Sequence, residues 1–184
     1  MAWVTYPAVS ELTRNAGFLF WNPSALTSEA TWGTKLGYTD QGVDVLPSIQ
    51  VAELTEEETG NEVTRIVKLG ETPRIVANLS SWNATSIARA FPSMTSTTNV
   101  SHPGSNKPGA FLQNTTGVLL FVPDDVTNNL CLIVYKACPR LVQEAVVKLS
   151  HGNLTMLMVS FLALRSNGSG TSFYLGKMSG APAL

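Results

Sequence analysis

At 184 residues the chain has the size of one domain, large enough to bury a sufficient core without disulfides or metals. Hydrophobic residues make up 44% and charged residues only 14%, against roughly 25% charged in an ordinary soluble domain. Ser, Thr, Asn, Gly and Pro fill the difference, which suits short strands joined by turns and argues against a helical bundle. The formal net charge is −1 and the 12 basic residues are scattered, so no basic patch is present to neutralise phosphates, which argues against a DNA-binding domain.

Residues 1–16 are mixed and polar and read as an N-terminal arm. No basic n-region and apolar h-region open the chain, so no secretory signal is predicted. Its apolar stretches fall far short of the ~20 residues a membrane span needs. A soluble protein made in a reducing compartment is the expectation. Gly17 to Trp21 reads as a short strand stopped by Asn22-Pro23, and 22–35 as loop. From Leu36 the pattern sharpens. After a Thr-Asp-Gln-Gly turn, Val43 and Val45 share one face with Asp44 on the other, and Ile49 and Val51 alternate with Ser48 and Gln50. Pro47 cannot donate to a ladder and marks an edge or a bulge.

Residues 53–62 carry five glutamates, Glu53, Glu56, Glu57, Glu58 and Glu62, with Gly60-Asn61 as turn. The segment reads as an acidic loop, either a solvated hairpin tip or an interaction loop meeting a partner surface. Val63 to Leu69 is a strand, 70–73 a turn and Arg74 to Leu79 a strand. A short helix follows to about Phe91, with N-cap candidates among Ser80, Ser81 and Asn83. Ala84, Ile87, Ala88 and Phe91 give it an apolar face for core packing, and Pro92 ends it.

Residues 92–117 form a long polar connection, of a length that is usually functional or disordered. Val118 to Val122 is a strand and Pro123-Asp124-Asp125 a turn. Leu130 to Lys136 reads as a strand buried on both faces. Leu141 to Leu149 fits helix or strand, with strand preferred for its β-branched residues. His151-Gly152-Asn153 is a turn, Leu154 to Leu164 the strongest strand, Asn167 to Gly170 a turn, and Phe173 to Leu175 begins the last strand.

Few residues invite chemistry. The two histidines, His102 and His151, lie in polar or turn contexts, and no metal-ligand spacing accompanies them. No Gly-x-Ser-x-Gly elbow or phosphate-cradling loop is present. Asp124-Asp125 reads as a turn rather than a catalytic pair. Cys131 and Cys138, seven residues apart on a strand, fall on opposite faces and read as two buried free thiols. No catalytic, cofactor-binding or metal residue is assigned, no cofactor is expected, and the chain is read as not an enzyme.

The order of elements from Gly37 to Phe91 resembles the tail tube (major tail) proteins of bacteriophages with long, flexible tails. Thr39 to Val43 enters a strand, and 52–62 occupies the place of the family's long hairpin loop. Val63 to Leu69 and Arg74 to Leu79 stand as the strand pair before the family's helix at Asn83 to Phe91. Phe121 to Asp125, Tyr135 to Pro139 and Lys148 to Leu164 extend the likeness to about 16–178, and 92–117 departs from it by its length. The resemblance implies a β-sandwich or small barrel with one flanking helix, as a single domain over 1–184. It implies a structural virion protein, assembled in the bacterial host cytoplasm, whose hexameric rings stack into a hollow tail tube. The implied partners are further copies of itself, a tape-measure protein, and tail terminator or distal tail proteins. DNA would pass through transiently without specific binding, and no membrane binding is implied. Glu53, Thr55, Glu56, Glu57, Glu58, Gly60, Asn61 and Glu62 are the candidate contacts between subunits or rings. The alternatives are a terminator, distal tail or connector ring of the same fold and, from another class, a carbohydrate-binding β-sandwich using Trp3, Trp21, Trp32 and Trp82 as stacking platforms.

Overall fold

The computed structural model describes residues 16–56, 62–90, 116–140, 147–148, 156–165 and 170–184. Its strands, in chain order, are β1 (Gly17–Trp21), β2 (Thr34–Thr39), β3 (Val43–Leu46), β4 (Ile49–Glu56), β5 (Glu62–Glu71), β6 (Arg74–Leu79), β7 (Ser81–Trp82), β8 (Gly117–Pro123), β9 (Cys131–Pro139), β10 (Val147–Lys148), β11 (Met156–Ala163) and β12 (Phe173–Gly176). One helix, α1 (Ala84–Ala90), follows β7. The chain is mainly β, as its composition predicts. Arg74 to Leu79 forms a strand with the predicted bounds, and the helix ends within a residue of its expected position. The turn expected at 70–73 is shorter, because β5 pairs through Gly70 and Glu71 with Gln50 and Ile49. Residues 1–15 of the N-terminal arm 1–16, residues 92–115 of the connection 92–117 and the turn at His151 lie outside the described residues.

The large sheet runs β3-β6-β11-β9-β8-β1-β2-β7, and its two ends are the same two strand paths. β2 and β3 are halves of one path along 34–46, and β6 and β7 halves of another along 74–82. The halves pair antiparallel, Val43 to Leu46 with Ala77 to Arg74, and Gly37 and Tyr38 with Trp82 and Ser81. The sheet therefore closes into a small barrel. Each path breaks where it must bend. Gly42 takes φ of 78°, which a residue with a Cβ adopts only under strain. The Thr39 hydroxyl donates to the Gly42 carbonyl at 2.9 Å. On the other path the Ser80 N–H donates to the Tyr38 carbonyl at 2.9 Å. The register slips by one residue between the halves, and this local irregularity gives the strands the coiling that closure requires. Gly37 sits at the seam, where a Cβ would run into the Ser81 carbonyl.

Alternation then decides what is inside. Leu19 and Trp21, Leu119 and Phe121, Leu132 and Val134, Ile75, Ala77 and Leu79, and Leu157, Val159 and Phe161 point inward as one buried cluster. Val43 and Val45 join it from β3 while Asp44 stays exposed. The opposite face of β1, β8 and β9 is also covered. Phe20, Leu120, Val122 and Ile133 are buried there against Leu26, Trp32, Tyr174, Met178 and Ala181. This second layer explains why β9 reads as a continuous apolar run. Cys131 and Cys138 are buried on it without a disulfide, and burial pushes both thiols above their ordinary range.

The helix is held by its first turn. The Asn83 side-chain oxygen accepts the Ser86 N–H at 3.1 Å, and the Ser86 hydroxyl accepts the Asn83 N–H at 3.0 Å. This reciprocal pair satisfies two donors that a helix start otherwise leaves open. Asn83 Nδ2 also donates to the Lys35 carbonyl at 2.9 Å, and the Ser86 hydroxyl donates to the Leu36 carbonyl, fastening the helix to β2. Ile87 packs on the inner cluster, as its spacing predicts. Asn83→Ala is expected to cost about 1–2 kcal/mol, read as a lowered urea midpoint with unchanged slope; an unchanged midpoint would show that the cap is not holding the helix.

Candidate assembly interface

β4 and β5 leave the barrel. Among the described residues they pair only with each other, as a separate two-stranded sheet. β3 ends at Leu46, Pro47 interrupts the ladder, and the return passes through Thr72 and Pro73 into β6. The Thr72 N–H donates to the Ser48 carbonyl at 3.0 Å and ties the two legs at the root. β-Branched residues, Ile49 and Val51 against Val63, Ile66 and Val67, favour the extended backbone. The pairing runs from Ile49 with Glu71 to Glu56 with Glu62, with irregularities beside Gln50 and Leu54.

Directly paired residues of an antiparallel ladder share a face. Val51 pairs with Lys68 and Glu53 with Ile66; on the opposite face Ala52 pairs with Val67. Apolar side chains thus stand on both faces, and among the described residues neither face carries a packed layer. Ile66 and Leu69 are each 67% exposed, Ile49 54%, Val51 50% and Val67 44%. An isolated hairpin is marginal in water, and clustered exposed aliphatics mark a surface that is covered in use.

The structure divides the predicted contact residues. Glu53 is exposed within β4, Thr55 and Glu56 end that strand, and Glu62 opens β5. Glu57, Glu58, Gly60 and Asn61 lie outside the described residues. The reading of 53–62 as one loop is therefore corrected: the ladder continues to Glu56 and resumes at Glu62. A ladder needs backbone partners rather than apolar side chains, so glutamates on a solvated hairpin do not end it. Glu56 pairs with Glu62 at the far end of the ladder. Sequence reasoning missed the exposed aliphatics. The only signal was that Ile66, Val67 and Leu69 occupy both parities of one strand, which a strand buried on both sides would also show.

Two clefts flank the hairpin root. One, of about 530 Å³, is lined by Lys68, Glu71, Arg165 and Phe173 among others. There Lys68 is ion-paired with Glu71, and Arg165 Nε donates to the Gly170 carbonyl at 2.9 Å. The other, of about 490 Å³, is lined by Leu46, Pro47, Gln50, Arg74, Arg140 and Leu162 among others.

Other candidate groups are occupied structurally. Asp124 accepts the Tyr38 hydroxyl at 2.8 Å, which holds that phenol above its ordinary range. Asp125 accepts from the Asn128 side chain at 2.8 Å and from the Asn128 and Thr127 N–H groups, which hold its carboxyl below the usual range. Both belong to a turn, as expected of Pro123-Asp124-Asp125. Trp21 is in the core, where it stacks on Phe161 and lies beneath Arg89 at 4.6 Å. Trp32 packs edge-on against Phe20, and Trp82 packs on the inner cluster. These three tryptophans are engaged in packing rather than displayed as a sugar-stacking platform; Trp3 lies outside the described residues. No group of three or more His, Cys, Asp or Glu converges among the described residues, and no helix among them is long and apolar enough to cross a membrane.

No family model matches the chain, and no curated protein does. Among solved structures it is similar to the tube-terminating cap of an anti-feeding prophage, with a TM-score of 0.43 and 7% identity over 96% of this chain and 95% of that one. It is also similar to an Hcp protein, with a TM-score of 0.41 and 9% identity over 91% of this chain and 96% of that one.

Proposed function

We infer that this chain is a structural subunit of a phage-type tail tube. Copies join through the β4–β5 hairpin into rings, six to a ring by the resemblance of its sequence, and the rings stack as a hollow tube in the virion tail. A tape-measure protein occupies the lumen during assembly, terminator and distal tail proteins close the ends, and DNA later passes through without specific binding. The chain works by contact and not by catalysis. The observation that carries this reading is the hairpin, which extends from a closed barrel with aliphatic side chains exposed on both faces. A neighbouring subunit laid against it removes that surface from water and turns a marginal element into a stable one. β3 adds to the surface: it pairs with β6 on one side, while β1 pairs with β2 and stops short of it. Among the described residues no strand pairs with its second edge, which we read as available for pairing between subunits. The low charged fraction suits a surface largely covered in the assembly, and a lumen through which DNA slides is served by the absence of a basic patch.

Negative-stain microscopy of the purified protein at high concentration tests the reading. Rings and tubes are expected. Monomers alone, at every salt concentration and with native virion components added, would end it. Single rings that never stack would reassign the chain to a terminator or connector.

A further inference from the structure

We propose that the arginine cleft at the hairpin root binds a phosphate dianion, free or as the end group of an organic monoester. The inference goes beyond the assembly reading and does not depend on it. The cleft, of about 490 Å³, lies where β3, β6 and β11 meet. Arg74 lines it from β6, where it pairs with Leu46 of β3 and Leu162 of β11. Arg140 lines it from the residue that follows β9. Both arginines are tied to one residue, Ser160, which is buried. The Ser160 hydroxyl accepts from Arg74 Nε at 3.2 Å, and its carbonyl accepts the Arg140 N–H at 2.8 Å. This hold on Nε leaves the terminal nitrogens of Arg74 as donors, on a planar group that loses little freedom when it binds.

The charge in the cleft has no counterpart. Among the described residues no carboxylate lines it, and none stands within ion-pair distance of Arg74 or Arg140. The other polar side chains there, on Ser48, Gln50 and Thr72, are neutral and can donate hydrogen bonds. The neighbouring cleft differs, since its Lys68 already pairs with Glu71 and its Arg165 is engaged by the Gly170 carbonyl. Two guanidinium groups in one cleft are matched by a dianion. A carboxylate, or a phosphodiester in a DNA backbone, brings a single negative charge. A phosphate end group brings about −1.5 to −2 and three acceptor oxygens, and guanidinium donors suit phosphate oxygens in geometry as well as charge. Leu46 and Leu162 offer the organic part of a monoester an apolar wall. A single cleft of this kind is not a basic patch along which DNA would bind.

Phosphorus-31 NMR titrations of inorganic phosphate and of phenyl phosphate with the full chain test the site. Saturable binding of one phosphate per chain is expected. Phenyl phosphate binding the more tightly identifies a monoester as the ligand, and inorganic phosphate binding the more tightly identifies the free ion. Arg74→Gln and Arg140→Gln should each weaken binding about tenfold or more, as the loss of a charge-assisted contact does. Arg140 is exposed and lies beyond the end of β9, so Arg140→Gln is the variant least able to disturb folding, with circular dichroism as the check. Arg165→Gln, in the neighbouring cleft, should bind phosphate like the wild type. Amide hydrogen exchange around Thr72 and Arg74 should slow when phosphate is added to the wild type and stay unchanged in Arg140→Gln. Binding that never saturates, an Arg140→Gln chain that binds like the wild type, or an Arg165→Gln chain that loses binding equally would overturn the site. Displacement of phosphate by acetate, or by an oligonucleotide without terminal phosphates, at equal concentration of charge would overturn its assignment to a dianion. None of these outcomes bears on rings or tubes, which microscopy decides separately.

Discussion

Replacing Ile49, Val51, Ile66 and Leu69 together by threonine is expected to yield a folded monomer that no longer assembles. All four are at least half exposed, so the folded subunit gains little from them, and surface changes of this kind usually move stability by only about 0.5 kcal/mol each. Threonine keeps a β-branched side chain and with it the preference for an extended backbone. The effect falls on association. Burying an aliphatic side chain at an interface contributes about 1–2 kcal/mol, so four replacements remove roughly 4 kcal/mol or more, about a thousandfold in the association constant. Sedimentation velocity and a melting curve measured on the same sample separate the two quantities. Undiminished rings or tubes from the quadruple variant would remove the hairpin faces from the interface.

Phe161→Ala is expected to have the opposite signature, a large loss of folding stability before any question of assembly arises. Phe161 is fully buried and stacks on Trp21 with ring centroids 5.6 Å apart. In the sheet it pairs with Ile75 on one side and Pro139 on the other, so it fills the barrel where β6, β11 and β9 meet. Truncating a buried phenylalanine costs about 3–5 kcal/mol, and losing the aromatic pair adds about 0.5–1.5 kcal/mol. Against a total of about 5–15 kcal/mol for a domain, that is a large share. Urea denaturation should show the midpoint falling by about 2 M if the slope is near 2 kcal/mol/M. A loss under about 1 kcal/mol would mean that the barrel interior collapses around the gap, contrary to the closed packing described here.

The two variants mark the boundary between what was readable in the chain and what was not. Val43, Asp44 and Val45 alternate in the sequence and alternate in the barrel, because a strand with one buried face imposes a period of two. Asn83, one of the N-cap candidates, starts the helix through chemistry confined to one turn, with Ser86 as the reciprocal partner that the structure supplies. Of the run Leu130 to Lys136, read as buried on both faces, Cys131 to Val134 are buried, whereas Leu130 precedes the strand and is exposed, and Tyr135 and Lys136 are half-buried. The acidic segment was misjudged at its edges, because Glu53, Glu56 and Glu62 enter a ladder whose stability depends on backbone partners and not on side-chain polarity. The exposed aliphatics of the hairpin were not singled out. Glutamates are conspicuous in a sequence, whereas Ile66 and Leu69 look like any strand residue until the structure shows them exposed.

By itself the sequence determined the local elements: strands wherever apolar residues alternate or run together, one short capped helix, and turns at Gly, Pro, Asn and Asp. Those outcomes depend on neighbours a few positions apart, which a single chain displays. Only the tertiary structure decided that the strands close into a barrel, with Tyr38 paired to Ser81 and Phe18 to Val122, and that β4 and β5 stand outside it. Closure is a matter of pairing between distant residues, and a residue's exposure depends on what the rest of the chain leaves uncovered. Neither quantity is a property of any local stretch.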